Sequence, residues 1–161
     1  MTDYENLLTL LVRGGVQFVV VGGVAAAAHG SARTTEDLDV VYSRNQNNIK
    51  RLVEALGQTN PYLRGAPPGL PFKFDEKTVT NGLNFTLITD IGAVDLLGEI
   101  TGGGSYEQLL PNSLKVSVFG IECQLLGLER LIEVKRAAGR PKDLEAIAEL
   151  EKILERGNQG K

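Results

Sequence analysis

The sequence has very few of the residues that build disulfide frameworks, zinc sites and hydrolase triads. Its 161 residues include one cysteine and one histidine. Cys123 cannot form an internal disulfide, and its apolar neighbours Ile121 and Leu125 predict a buried position in a reducing compartment. His29 has no second histidine or cysteine nearby, which argues against a zinc site. No paired Ser/His or Cys/His arrangement supports a hydrolase triad.

The sequence also lacks a long apolar run and an excess of basic charge. Its longest apolar run, residues 18–21, is far shorter than the roughly 20 residues of a membrane-spanning helix. The first residues show no charged-then-apolar signal pattern, so we expect a cytoplasmic protein with no membrane partner. The chain has 17 basic and 20 acidic residues and a net charge of −3. This balance excludes a broad basic surface for nucleic acid but not a local basic patch.

The composition that remains is that of a folded globular protein. Hydrophobic residues make up 42% of the chain and charged residues 23%, which excludes a disordered or fibrous chain. The length predicts one domain over residues 1–161. The 19 glycines exceed the usual share of about 7%, so several tight backbone turns are expected.

Helical and strand patterns are mixed along the chain. An apolar β-branched run at 18–21 predicts a buried strand, and 37–42 predicts a second strand with alternating character. The other predicted strands are 84–89, 93–97, 114–118 and 121–125, and the predicted helices are 7–13, 24–29, 45–56, 106–110, 128–138 and 141–156. Residues 57–82, rich in proline and glycine, predict an irregular surface loop with one turn of helix. This order predicts an α+β fold, with a mixed, largely antiparallel central sheet flanked by helices and two C-terminal helices.

Two aspartates on the second predicted strand are the strongest chemical signal. Asp37 and Asp39 are two residues apart, so both side chains leave the same face of the strand. Leu38 and Val40 then point into the core. Carboxylates about 6–7 Å apart on a rigid strand can converge on a divalent cation. Such pairs also occur by chance, mostly in solvent or at turns, so the surrounding residues decide between the two interpretations.

A pair of glycines follows the first predicted strand and opens a helix of small residues. Gly22 and Gly23 can expose backbone N–H groups to a phosphate there, or they can simply form a tight strand-to-helix turn. The spacing is neither that of a dinucleotide-binding fingerprint nor that of a P-loop.

The order Gly22-Gly23, a short helix and then Asp37-Leu-Asp39 resembles the signature of the DNA polymerase β-like nucleotidyltransferase superfamily. The resemblance implies a third carboxylate on a neighbouring strand, for which Asp95 is the candidate. An unpaired acid at that apolar position would be unfavourable. Asp90 is the second candidate, but its sequence context is typical of a turn.

A larger part of the chain is similar to one branch of that superfamily, the small bacterial proteins akin to AbiEii-type toxins and minimal nucleotidyltransferases. The similarity spans residues 18 to about 155 and includes the segments 29–39, 84–89, 94–98 and 135–143. It implies a toxin–antitoxin role with an antitoxin partner. Gly23 stands where many relatives have a serine, which leaves only backbone donors at that position.

Basic residues provide candidate phosphate ligands. Lys135 shares a helical face with apolar residues, so its ammonium needs a partner such as the carboxylates or a triphosphate, unless it extends to solvent. Arg33 could bind a nucleotide phosphate or balance the charge of Asp37 and Asp39. Arg136, Arg140 and Lys142 are typical of a solvated basic face, and Asp143 of a first helical turn. The C-terminal similarity also makes Asp143 a candidate site residue.

The resemblance implies an enzyme that transfers a nucleoside monophosphate from an NTP to a hydroxyl acceptor and releases pyrophosphate. Asp37, Asp39 and Asp95 would bind Mg²⁺ or Mn²⁺ in a two-metal arrangement. Gly22, Gly23, Arg33 and Lys135 would bind the nucleotide, with Lys135 also neutralising developing charge. The acceptor could be RNA, protein or a small molecule. The alternative is a nucleotide- or partner-binding module with the same fold and no turnover.

Overall fold

The computed structural model describes residues 1–159 as seven α-helices and nine strands. The helices are α1 Tyr4–Arg13, α2 Gly22–Ala28, α3 Gln46–Gly57, α4 Glu76–Asn81, α5 Tyr106–Leu109, α6 Leu128–Ala138 and α7 Pro141–Gln159. The strands are β1 Phe18–Val21, β2 Asp37–Tyr42, β3 Tyr62–Leu63, β4 Phe85–Thr89, β5 Gly92–Leu97, β6 Glu99–Ile100, β7 Gly104–Ser105, β8 Ser113–Val118 and β9 Ile121–Leu126. A 3₁₀ turn, Leu110–Asn112, connects α5 to β8.

Seven of the strands form one mixed sheet in the order β3-β4-β5-β2-β1-β9-β8. The pairs β2–β5 and β1–β9 are parallel, and the other four neighbouring pairs are antiparallel. β6 and β7 form a separate two-stranded ribbon. The predicted mixed, largely antiparallel sheet with two C-terminal helices is confirmed.

The core lies where the apolar faces of the central strands meet the helices. Val19 and Val20 on β1 and Leu38 and Val40 on β2 are fully buried. Because side chains alternate along β2, burial of Leu38 and Val40 directs Asp37 and Asp39 to the opposite face. α2 packs against β2 and α6, and α6 packs against α7. The C-terminal helices therefore lie beside the strand that carries the two aspartates.

The largest departure from the sequence prediction is in the segment predicted as an irregular loop over residues 57–82. It contains β3, which extends the sheet by pairing Leu63 with Leu87 of β4. It also contains α4, whose N-terminus is capped by Asp75 accepting a hydrogen bond from the Thr78 backbone N–H at 2.8 Å. β3 has too few residues for a periodic signal, so only its pairing with β4 defines it.

Other predicted elements need smaller adjustments. α2 begins at Gly22 rather than at residue 24, and α7 extends to Gln159 rather than to 156. Cys123 is buried, as predicted. No helix within residues 1–159 combines the length and apolar character needed to cross a membrane.

Candidate active site

Three carboxylates converge on one face of the sheet. Asp37 and Asp39 lie on β2, and the parallel pairing of β2 with β5 places Asp95 directly beside Asp39. One carboxylate oxygen from each of the three residues lies within 4.8 Å of the other two. The structure thus brings together the three acids that the sequence predicted as a group. Asp90, the second candidate, lies in the β4–β5 turn and accepts a hydrogen bond from Asn60 at 2.7 Å.

Burial and mutual repulsion dominate the electrostatics of this acidic cluster. Burial, followed by the carboxylates of Asp37 and Asp95, raises the pKa of Asp39 to about 8. Its Oδ1 atom is buried and has no hydrogen-bond partner within the described chain. Burial also raises the pKa of Asp95, although a hydrogen bond from Arg64 acts in the opposite direction. Three converging oxygen ligands, one of them unpartnered, fit a hard divalent cation.

Arg64 is a residue of the acidic cluster that sequence reasoning missed, as it missed Thr35 in the adjoining loop. Its Nη2 donates to Oδ1 of Asp95 at 2.6 Å, and its Nη1 lies 3.6 Å from Oδ2 of Asp37. Arg64 directly follows β3, so its place depends on a strand pairing between distant segments. An arginine in a proline-rich segment gives no local signal of that contact.

The two glycines form the turn from β1 into α2. Gly22 has a φ of +67°, a conformation that side-chain-bearing residues rarely adopt. Gly23 lies against Thr35, since a Cβ atom added at Gly23 would stand 2.6 Å from the Thr35 hydroxyl oxygen. The threonine side chain therefore occupies the space that a serine at position 23 would need.

A polar cavity of about 420 Å³ opens beside the acidic cluster. Its lining includes the acids and both glycines, together with four cationic residues, Arg33, Lys135, Arg140 and Lys142. Asp143, Glu149 and Thr35 also line it. This arrangement of cationic groups around acids suits a polyphosphate bound through metal ions.

Lys135 lies on α6 at the border between this cavity and a second one. Burial lowers the pKa of its ammonium, while the carboxylates of Asp143 and Asp39 act in the opposite direction. Among residues 1–159, no carboxylate lies within ion-pair distance of its Nζ atom. Its charge is therefore accessible to a ligand in either cavity.

The remaining predicted cations divide between the cavity and the outer surface. Arg33 lines the cavity and pairs with Glu145 at 3.5 Å. Among residues 1–159 Arg33 makes no ion pair with Asp37 or Asp39, and Asp37 lies 3.6 Å from Arg64 instead. Arg136 pairs with Glu151 and is not among the lining residues.

Asp143 and Arg140 form a tight pair in the cavity wall. Asp143 is buried and accepts a hydrogen bond from Arg140 Nε at 2.6 Å. Burial raises the pKa of the Asp143 carboxyl, but the hydrogen bonds from Arg140 outweigh it and the net shift is downward. Asp143 is therefore part of the site lining and not only a helix-end charge. His29 lies apart from the acids and contacts the carbonyl oxygen of Leu126 at 2.8 Å.

The second cavity has a volume of about 380 Å³ and a different character. It shares Gly22, Asp39, Lys135 and Arg140 with the first cavity. The rest of its lining is largely apolar: Val21, Leu97, Ile100, Leu131, Val134 and Ala138, with the polar residues Asn84, Glu99 and Thr101. Asp39 therefore lines both a polar, highly charged cavity and a mostly apolar one.

Proteins of known structure share this fold. The structure of TM1012 from Thermotoga maritima, a protein assigned as a nucleotidyltransferase, superposes with a TM-score of 0.57 over 94% of this chain and 96% of that chain, at 17% identity. The lincosamide antibiotic adenylyltransferase LnuA, in its lincomycin-bound form, superposes with a TM-score of 0.59 over 94% of this chain and 98% of its own, at 13% identity.

By sequence, no protein-family model and no curated protein matches the chain. The structural likeness defines the class of fold: the chain has the nucleotidyltransferase fold over nearly its whole length.

Proposed function

We propose that the protein is a metal-dependent nucleotidyltransferase, which transfers a nucleoside monophosphate from an NTP to a hydroxyl acceptor. The observation that carries this proposal is the convergence of Asp37, Asp39 and Asp95 within 4.8 Å, at the edge of a polar cavity of about 420 Å³ that four cationic side chains help to line. The fold shared with TM1012 and LnuA agrees with it.

The three carboxylates would hold Mg²⁺ or Mn²⁺. The buried, unpartnered Oδ1 of Asp39 supports this role, because a carboxylate oxygen without a hydrogen bond is unfavourable unless a ligand binds it. Divalent cations bound there would stabilise the charge on the transferring phosphoryl group and activate the acceptor hydroxyl.

The cavity wall would hold the triphosphate. Lys135 would neutralise the charge that develops on the departing phosphates, since no carboxylate of the described residues pairs with it. The N–H groups of Gly22 and Gly23, in the first turn of α2, have no partner within the helix and would donate to phosphate oxygens. The hydroxyl of Thr35, which lines the same cavity beside Gly23, would supply a further contact. Arg33 would approach the phosphates from the opposite wall.

The transfer itself forms one P–O bond and breaks another. The acceptor hydroxyl oxygen attacks the α-phosphorus, the bond between the α-phosphorus and the bridging oxygen breaks, and pyrophosphate leaves. The hydroxyl proton passes to a carboxylate, for which we favour Asp95.

The second cavity would hold the acceptor. It adjoins Asp39 and shares Lys135 and Arg140 with the first cavity, and the apolar remainder of its lining suits a small molecule more than an RNA backbone. LnuA, which shares the fold, is a lincosamide adenylyltransferase with lincomycin bound. The acceptor we favour is therefore a small hydroxyl-bearing molecule, ahead of RNA or protein.

One labelling experiment tests the reaction and identifies the acceptor class. The purified protein is incubated with Mg²⁺ and each α-labelled NTP in the presence of cellular RNA, protein or small-molecule extract, with Asp39→Asn as the control. Label that enters one fraction only with the wild-type protein supports the proposal. Metal-dependent NTP binding without label transfer or pyrophosphate release would instead favour the non-catalytic binding module.

The toxin–antitoxin role implied by the resemblance to AbiEii-type proteins stays a prediction. Induced expression in a bacterial host should arrest growth if the protein is a toxin. The Asp39→Asn variant should then be harmless. An antitoxin partner would be identified as a protein whose co-expression restores growth.

A further inference from the structure

The position of Arg64 at the acidic cluster is fixed by the backbone of the sheet. Its own N–H donates to the carbonyl oxygen of Thr86 at 3.0 Å, which continues the β3–β4 pairing past Leu63. Its side chain donates to the carbonyl oxygen of Leu87 from Nη2 at 2.8 Å and from Nε at 3.2 Å. These bonds do not involve the carboxylates, so β4 holds the guanidinium beside them.

From this anchor the guanidinium reaches two of the three carboxylates. Nη2 lies 2.6 Å from Oδ1 of Asp95, and Nη1 lies 3.6 Å from Oδ2 of Asp37. The three side chains keep between 22% and 30% of their surface exposed, so the contacts are partly shielded from water. Asp39 has no cation within ion-pair distance in the described chain. The arginine thus balances one edge of the cluster and leaves Asp39 uncompensated.

A guanidinium and a divalent cation require the same carboxylate oxygens. The Asp95 oxygen that accepts a short charged hydrogen bond from Arg64 is a weaker ligand for a metal ion until that bond is broken. Charge balance points the same way. When a bound ion keeps all three carboxylates ionised, they and the guanidinium sum to a charge of about −2, which a single divalent ion neutralises, whereas two ions would exceed it.

We propose that Arg64 is a resident cation of the acidic cluster, which competes with divalent ions for Asp37 and Asp95. In the absence of nucleotide the protein then binds one divalent ion tightly and a second only weakly. A bound triphosphate supplies the negative charge that draws in the second ion. This inference rests on the proposed metal-dependent function.

Titration with Mn²⁺ in the absence of nucleotide tests the competition. Isothermal calorimetry is carried out on the wild-type protein, on Arg64→Gln and on Arg136→Gln. The last variant removes the same charge and an ion pair outside both cavities. We expect one tight Mn²⁺ site in the wild type and in Arg136→Gln. In Arg64→Gln we expect a second tight site, or an affinity at least about tenfold higher.

Thermal unfolding gives a second readout that does not depend on turnover. In EDTA, Arg64→Gln should melt below the wild type, because Asp37 and Asp95 lose their cation. Added Mg²⁺ should then raise its melting temperature by more than it raises that of the wild type. If Arg64→Gln fails to fold, Arg64→Lys takes its place. The lysine retains the charge but cannot contact Leu87, Asp95 and Asp37 all at once. This variant should still bind Mn²⁺ more tightly than the wild type.

Two results would overturn the inference in different ways. If Arg64→Gln, or Arg64→Lys in its place, binds Mn²⁺ with unchanged or lower affinity while the wild type binds it, then Arg64 does not compete with metal. If the wild type binds no Mn²⁺ even with NTP, the proposed function fails and this inference fails with it.

Discussion

Gly22 lies directly against the carboxylate of Asp39. A Cβ atom added at Gly22 would overlap Oδ2 of Asp39, and the φ of +67° at this position also disfavours any side chain. The turn that begins α2 and the central acid of the cluster therefore fit together only when position 22 is glycine.

We expect Gly22→Ala to displace Asp39 and to lower the rate of transfer by about a hundredfold or more, since misplaced catalytic groups have effects of that order. The left-handed backbone should also lower the free energy of unfolding by about 1–3 kcal/mol. Urea unfolding and Mn²⁺ titration measure the two effects separately. Gly120→Ala is the matched control, with a φ of +79° and no atom within 4 Å of the added Cβ. It should lose stability but retain Mn²⁺ binding; equal Mn²⁺ affinity in both variants would contradict the prediction.

Asp39→Asn should abolish transfer and yet stabilise the metal-free protein. The amide carries no charge. The substitution therefore removes the cost of burying a charged carboxylate and the repulsion of that charge by Asp37 and Asp95. We expect a loss of activity of about 10⁴-fold or more, as for other essential catalytic groups. The free energy of unfolding in EDTA above pH 8 should rise. Asp90→Asn, in the β4–β5 turn, should leave activity unchanged.

The stability of the metal-free protein should fall as the pH rises. The pKa of Asp39 is about 8 in the folded state, against 3.8 for an unperturbed aspartate such as that of the unfolded chain. Between these values the folded state binds more protons than the unfolded state, so the free energy of unfolding decreases with pH and levels off above about 8. Urea unfolding in EDTA across this range measures the slope. The free energy of unfolding should depend less steeply on pH in Asp39→Asn. An equal slope in the two proteins would mean that groups other than Asp39 cause the pH dependence.

Lys135→Met should weaken nucleotide binding without destabilising the fold. The ammonium is half-buried and has no ion-pair partner in the described chain, so its loss removes a desolvation penalty as well as a phosphate ligand. We expect the dissociation constant for NTP to rise by about tenfold to a hundredfold, as for the loss of a charged hydrogen bond. Titration with a fluorescent NTP analogue measures it. Lys152→Met, on the exposed face of α7, should bind NTP as the wild type does.

Val134→Trp should block the acceptor cavity and spare nucleotide binding. Val134 lines the second cavity but not the first, so a bulky ring there should compete with the acceptor alone. We expect kcat/KM for the acceptor to fall by about tenfold or more, the effect of losing about 1.4 kcal/mol or more of binding, with an unchanged dissociation constant for NTP. Ala148→Trp on exposed α7 is the control. Equal loss of NTP binding and acceptor turnover would place both substrates in one cavity.

The strands that hold the carboxylates could be predicted because their own residues encode them. β1 is an unbroken apolar run between glycines, and β2 alternates acids with buried aliphatic residues. The bounds of both strands match the prediction. Asp95 could be selected because an acid between apolar neighbours on a strand needs a compensating environment.

The contacts of Arg64 and Arg33 could not be predicted, since neither depends on local sequence. Arg64 reaches Asp95 only because the two-residue strand β3 pairs with β4. Arg33 meets Glu145 of the last helix. Arginines usually lie at the surface, and the partners of these two depend on how distant segments pack together. The spacing of residues along the sequence does not predict such packing. The second cavity lies between β5, β6 and α6 and could not be predicted for the same reason.

The architecture also has a consequence for a chain that is still being synthesised. Asp37 and Asp39 are synthesised early, whereas β9, which completes the sheet beside β1, and α6, which carries Lys135, come near the end. A nascent chain thus exposes its acids without the helices that wall them in. Such a chain can hold neither a nucleotide nor an acceptor. The proposed catalysis would begin only after these distant segments have packed together, and contacts between distant segments form more slowly than local ones.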